Sequence, residues 1–320
     1  MDAMSEIELR NGTLAATVNT LGATLQRFRL ETAGGYRDLV LSCLDDPYIG
    51  RTVGRFANRL DSGRFLVDGV EYQATINEPP NTLHGGVTGF SACEWEVVAT
   101  TETSAALRLV SPDGDQGFPG RLEVAAAFDL GERALTVTYA ATCDAPTIVN
   151  LTLHPYFNLG PGDTIDDMAL QLPASEYTPV RADLIPTGEI APVAGTGLDF
   201  AHPRRLAEAR AQMLDEGRDN DGCLDHNFMV PGDGLREVAR LIAPDGLTVV
   251  VVSDTPAVQV YDAAGFTGEL TGPDGQRLCA HAGLAVEPQC PPDAPNQPGF
   301  PDTVLRPGQT YTRTISFIID

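Results

Sequence analysis

Apolar and polar residues alternate with a period of two in short runs along most of the chain, and they seldom recur every third or fourth position. Trp95–Thr100, Ala105–Val110, Leu122–Leu130, Ala134–Ala141 and Thr147–Leu153 each read as a strand bounded by turn residues. Thr13 to Leu30 carries the same pattern broken at Gly22, which predicts two strands joined by a turn. Asp68-Gly69, inside RFLVDGVEYQA, and Asp245-Gly246, between VARLIA and LTVVVV, fall where tight two-residue hairpin turns are expected. One segment reads clearly as a helix. Arg204–Glu216 is built of strong helix formers, follows His202-Pro203 and is closed by Gly217. Tyr48–Asn58 is a second helical candidate, because Arg51, Arg55 and Arg59 are four apart and would stack on one face. Three like charges there would repel unless acids or a ligand answered them.

A length of 320 residues can bury a large core, and all-β domains often reach this size as one unit. With 32 glycines, 24 prolines and no internal repeat or low-complexity linker, the expected architecture is all-β, one sandwich or barrel domain over residues 1–320. The balance of 21 basic and 44 acidic residues, net −23 and spread along the chain, argues against nucleic acid or an anionic membrane surface as partner. Six cysteines without paired spacing suggest neither a zinc site nor a redox motif, and are expected as reduced, mostly buried thiols. The N-terminus lacks a basic region followed by an apolar run, and no segment approaches 18 consecutive apolar residues. A soluble, cytoplasmic protein is expected.

Candidate chemistry begins with Gly283–Pro301, GLAVEPQCPPDAPNQPGFP, which starts like a buried strand and then becomes rich in proline. Leu284 and Val286 alternate with Gly283, Ala285 and Glu287, so the carboxylate shares a face with two small residues that leave room for a ligand. Pro288 holds Glu287 extended, and six prolines from 288 to 301 form a stiff arm. Alone, this also fits an ordinary strand end with an exit loop. Asn150–Gly160, NLTLHPYFNLG, repeats the design: Val149, Leu151 and Leu153 alternate with Asn150, Thr152 and His154, and Pro155 pins His154. A histidine and a carboxylate mounted alike are the pair needed for general acid and base work near neutral pH.

Asn58-Arg59, NTLHGG at Asn81, Asp225-His226-Asn227-Phe228 and Gln259 with Tyr261 are further polar clusters, each weak alone. Taken in order, IGRTVGRFANRLDSGRF from Ile49, NTLHGG, NLTLHPYFNLG, LDHNF from Leu224, and VEPQ with PPDAPNQPGF after Val286 resemble the aldose 1-epimerase, or galactose mutarotase, family from about Gly22 to Tyr311. The resemblance implies a large antiparallel β-sandwich with an open sugar-binding cleft and a free monosaccharide as substrate. It implies Glu287 as general base at the anomeric hydroxyl and His154 as general acid at the ring oxygen, the two exchanging roles on reclosure. Asn58, Arg59, His84, Asp225 and Gln259 match the family's substrate-binding positions. No metal or other cofactor is implied, and the assembly is expected to be a monomer or homodimer.

A consistent site of this kind would keep His154 protonated and Glu287 ionised at rest. Arg51, Arg55, His202, His226 and His281 read as structural, Arg55 through an internal ion pair. Asp262-Ala263-Ala264-Gly265 departs from the small hydroxyl, glycine and asparagine residues common in the family, as does Pro288 from a common threonine, so the preferred sugar stays open. Three alternatives remain: a hexose-6-phosphate mutarotase, needing a cationic pocket for which Arg51 and Arg55 are the obvious candidates; a non-catalytic sugar-binding protein; and a glycosidase using Asp225 with Glu287.

Overall fold

Two antiparallel sheets carry the molecule, seen in a computed structural model that describes residues 5–217, 222–273 and 275–320. The larger has nine strands in the order Glu96–Thr100, Ser104–Ser111, Leu122–Leu130, Ala134–Cys143, Tyr311–Ile319, Thr248–Ser253, Arg236–Ile242, Ala169–Gln171 and Arg204–Arg205. The second has six: Tyr156–Phe157, Leu284–Gln289, Ala257–Tyr261, Asp225–Met229, Glu176–Thr178 and Ala191–Pro192. Phe128, Val137, Val251 and Phe317 of the first sheet join Phe228, Val258, Val260 and Val286 of the second in one apolar cluster. The all-β sandwich expectation therefore holds. Among the described residues no helix is long and apolar enough to cross a membrane.

The alternation predicts the nine-stranded sheet closely. Leu122–Leu130 has the forecast ends, and its buried residues alternate with more exposed ones. Asp68-Gly69 makes the expected two-residue turn, with φ of 50° and 83° and Val67 opposite Val70. Asp245-Gly246 also joins a hairpin, but through a longer loop: Ile242 pairs with Thr248, and Leu247 O accepts from Ala243 N–H at 2.8 Å. Pro244 fixes a negative φ ahead of Asp245, and only Gly246 turns left-handed. Leu14–Asn19 and Thr24–Thr32 flank Gly22 as expected. Thr147–Leu153 instead breaks into two short strands, Thr147–Ile148 pairing with Val304–Leu305 and Thr152–Leu153 with Thr52–Val53.

The helix runs Leu206–Asp215, since Arg204 and Arg205 are recruited to the sheet edge opposite Leu170 and Ala169. Tyr48–Asn58 is not helical. Arg51 donates to Ser91 O and Leu44 O, both at 2.7 Å, while Arg55 donates to Pro119 O, Gly120 O and Ser111 Oγ. Each guanidinium thus has its own cage of carbonyls in a different part of the chain, which one helical face could not satisfy. Among the described residues Arg55 meets no carboxylate directly: Asp115 is reached through Ser111 Oγ, so the expected ion pair is replaced by neutral acceptors. Among the described residues no cysteine is in a disulfide, but only Cys43 and Cys290 are buried, contrary to the expectation of mostly buried thiols.

Candidate active site

Glu287 and His154 enter the site from the two proline-pinned stretches. Glu287 lies on the strand Leu284–Gln289, buried along its whole length, with Gln259 directly opposite on the neighbouring strand. One face of this strand, Leu284 and Val286, belongs to the apolar core, which leaves the other face for polar side chains. Gly283 leaves no ligand space, contrary to its sequence reading: a Cβ there would lie 2.7 Å from Leu41 Cδ1 and 2.9 Å from Tyr156 Cβ. His154 follows the short strand Thr152–Leu153, and its Nε2 stands 3.4 Å from Glu287 Oε1. The amide of Asn150 clips the two stretches together. Its Oδ1 accepts from Cys290 N–H at 2.9 Å, and its Nδ2 donates to Cys290 O and Ala57 O.

His84 packs edge-on to His154, ring centroids 5.3 Å apart. Its Nδ1 accepts the Asn58 N–H at 3.1 Å, and burial, followed by the positive fields of His154 and Arg59, pushes its pKa well down. His84 is therefore a neutral ring with its proton on Nε2. Gly85 beside it has φ of 88°, and a Cβ there would sit 2.0 Å from Gly54 O, so only glycine allows this turn. Asn58, itself left-handed with φ of 64°, accepts Arg59 N–H on Oδ1 at 2.9 Å. Gln259 Nε2 donates to Asp225 Oδ1 at 2.6 Å. The seven residues expected in the site thus lie in one contiguous neighbourhood, with Arg59 close enough to bear on Asp225 and Glu287.

Burial dominates the electrostatics. It pushes His154 down to about 4. It also raises Glu287 well above the carboxylate range, where the negative field of Asp225 adds and Arg59 opposes. The expected resting pair of imidazolium and carboxylate is thus disfavoured, because water, the solvent that would stabilise both charges, is excluded. Burial thus favours the neutral form of each group.

His84, His154 and Glu287 also have the spacing of a metal site, their potential ligand atoms lying within 4.8 Å of one another. The donor chemistry does not fit. With Nδ1 engaged by Asn58, His84 presents a protonated nitrogen, which has no lone pair for a cation. It suits a sugar oxygen instead.

Several partners escape the sequence reading. Glu78 takes Arg59 in a two-pronged grip, from Nε at 2.6 Å and Nη2 at 2.8 Å. Glu78 precedes Pro79, so the proline-pinning signal that marks His154 and Glu287 would have found it too. Tyr156 stacks on His154 at 5.0 Å, and Tyr48 lies 4.7 Å from His84 and 6.4 Å from His154. These aromatic contacts have no short-range sequence signal. Arg51 and Arg55, the obvious candidates for a phosphate pocket, are buried in their carbonyl cages and give that alternative no support.

Comparison with known proteins bears on the chain as a whole. The family model for aldose 1-epimerase matches residues 5–317. Human galactose mutarotase is 35% identical over 98% of this chain and 93% of its own length. Aldose 1-epimerase of Escherichia coli K12 is 33% identical over 96% and 92%. A GalM/aldose epimerase homologue from C. elegans superposes with TM-score 0.92 at 31% identity, covering 99% of both chains. Galactose 1-epimerase from Lactobacillus acidophilus gives 0.85 at 28%, covering 99% of this chain and 94% of its own. With the fold, the motifs in order and this pairing of sequence and structure, the chain belongs to the aldose 1-epimerase family.

Proposed function

We propose that this enzyme interconverts the α and β anomers of a free aldose, with His154 and Glu287 moving the protons. The observation that carries this reading is the facing of His154 Nε2 and Glu287 Oε1 across 3.4 Å in a buried site, an acid and a base that a simple sugar binder would not need. Ionised Glu287 takes the proton of the C1 hydroxyl, and protonated His154 gives its proton to the ring oxygen as the C1–O5 bond breaks. The products are an open-chain aldehyde, protonated Glu287 and neutral His154. After rotation about C1–C2, reclosure on the other carbonyl face reverses each transfer.

The pair holds one proton before and after ring opening. No exchange with solvent is required. The burial that disfavours both charges stabilises the open-chain stage relative to the cyclic one, while Arg59 beside Glu287 supports the ionised form that starts the reaction. His84 would donate to the ring oxygen through Nε2–H, and Asp225 with Gln259 would hold sugar hydroxyls. We further place the chain in the cytoplasm as one domain across residues 1–320. Six cysteines, none in a disulfide among the described residues, support a reducing compartment.

Polarimetry on freshly dissolved α-D-glucose, α-D-galactose, D-xylose and L-arabinose tests the reading, with the Glu287→Gln protein as control. Faster approach to the same final rotation is expected and ranks the sugars. Unaccelerated rotation with every free sugar would overturn it.

A further inference from the structure

Glu287 and Gln259 are the end of a longer polar row. Asn227 lies directly opposite Gln259 on the next strand, and Thr178 lies opposite Asn227 on the strand beyond. In antiparallel register these four side chains share one face of the sheet. The hydrogen bond from Gln259 to Asp225, two residues before Asn227 on the same strand, marks that face as the site's. Phe228 and Val258, on the opposite face, are in the apolar core.

Asn227 is 1% exposed, and neither its Nδ2 nor its Oδ1 has a hydrogen-bond partner. Thr178 Oγ1, Gln259 Oε1 and Glu287 Oε2 are likewise buried without one. A buried amide with both ends unpaired is destabilising, asparagine is a poor strand former, and a leucine of similar size would fill the place without either penalty. Glu287 and Gln259 carry the same kind of deficit at positions argued above to await the sugar. The row as a whole is a floor of unused donors and acceptors.

We infer that Asn227 is a substrate-binding, specificity-determining residue whose amide takes two adjacent hydroxyls on the ring edge remote from C1, the C3–C4 edge. Asn227 stands two strands from Glu287, on the order of 10 Å away at the usual strand spacing. With C1 set against the His154–Glu287 pair, that distance puts it at the far side of the pyranose ring. An amide offers one donor group and one acceptor side by side, which matches a vicinal pair in which one hydroxyl accepts and its neighbour donates. The assignment rests on the proposed placement of C1.

Calorimetric binding of D-galactose and its 3-deoxy and 4-deoxy analogues to wild type, Asn227→Ala and Asn227→Leu, with polarimetric rates for each, tests the assignment. Both variants should bind galactose about ten-fold more weakly with kcat within about three-fold of wild type. For at least one deoxy analogue, wild type should already show that loss and the variants no further one. Equal losses on galactose and both analogues, or wild-type affinity in both variants, would overturn the inference. Thermal unfolding of the empty proteins separates a structural role: Asn227→Leu should be at least as stable as wild type, and a clear fall in Tm would assign the amide to the fold. Sugar binding by a wild type without mutarotation would sink the proposed reaction while leaving Asn227 to be judged on affinity; failure to bind any of the three sugars would overturn both.

Discussion

The two large sheets bury their residues for opposite reasons. In the nine-stranded sheet one face is apolar and the other reaches solvent, so strands such as Leu122–Leu130 and Ala134–Cys143 read as a simple alternation. In the six-stranded sheet the strands Ala257–Tyr261 and Leu284–Gln289 are buried on both faces, one packed on the core and the other lined with Gln259, Glu287 and their neighbours. The first sheet has what a stable fold needs. The second keeps polar atoms buried without a protein partner, a condition that a ligand or a proton can relieve.

The largest effect expected from testing this contrast is at Glu287. Glu287→Gln should lower kcat by about 10³-fold while leaving the fold intact. The same variant should gain stability: a carboxyl whose folded pKa is raised loses stability as pH climbs from its ordinary 4.5 toward the raised value, and glutamine escapes that loss. Its Tm should exceed that of wild type near pH 8, with the gap closing toward about pH 4. A lower Tm near pH 8 would contradict the description of the dry site. Phe128→Ala, in the nine-stranded sheet, should behave inversely, costing about 3–5 kcal/mol in denaturant unfolding with kcat per folded molecule unchanged.

The pH profile sharpens the contrast further. Because ring opening conserves the pair's single proton, kcat/KM should be flat across neutrality. It should fall on the acid side only as His154 takes a second proton near its depressed value of about 4. An acid limb at the ordinary imidazole value of 6.5 would show that the ring is hydrated. The smallest effect expected is at the site's rim: Glu78→Gln loosens the grip on Arg59, and a steady-state assay should show KM rising about two- to five-fold with kcat nearly constant.

What could be read in advance follows the same division. Alternation places Leu122–Leu130 and Ala134–Cys143 to within two residues, because one face of each meets water and the other meets oil. Local chemistry also reveals His154 and Glu287, since a proline after an ionisable residue constrains that residue's own backbone. The same signal before Pro79 passed unread at Glu78. Tyr48, Tyr156 and Asn227 needed register or ring contacts to be found, which short windows of sequence do not contain. The arginine ladder from Arg51 misled for a related reason: four-residue spacing describes a helix only when the side chains seek a common surface, whereas Arg51 and Arg55 seek separate carbonyl cages and Arg59 a carboxylate.

Asn150 holds Cys290 across 140 residues of sequence, and with it the whole arrangement of acid and base. Such a link cannot form from local structure; it waits until both proline-pinned stretches have docked on the finished sheets. During refolding, the amide hydrogen of Cys290 should therefore gain protection from exchange together with the recovery of activity, after the hairpin at Asp68-Gly69 is already protected. Catalytic competence in this chain is a property of completed topology, acquired at the end of assembly and forfeited at the first global opening.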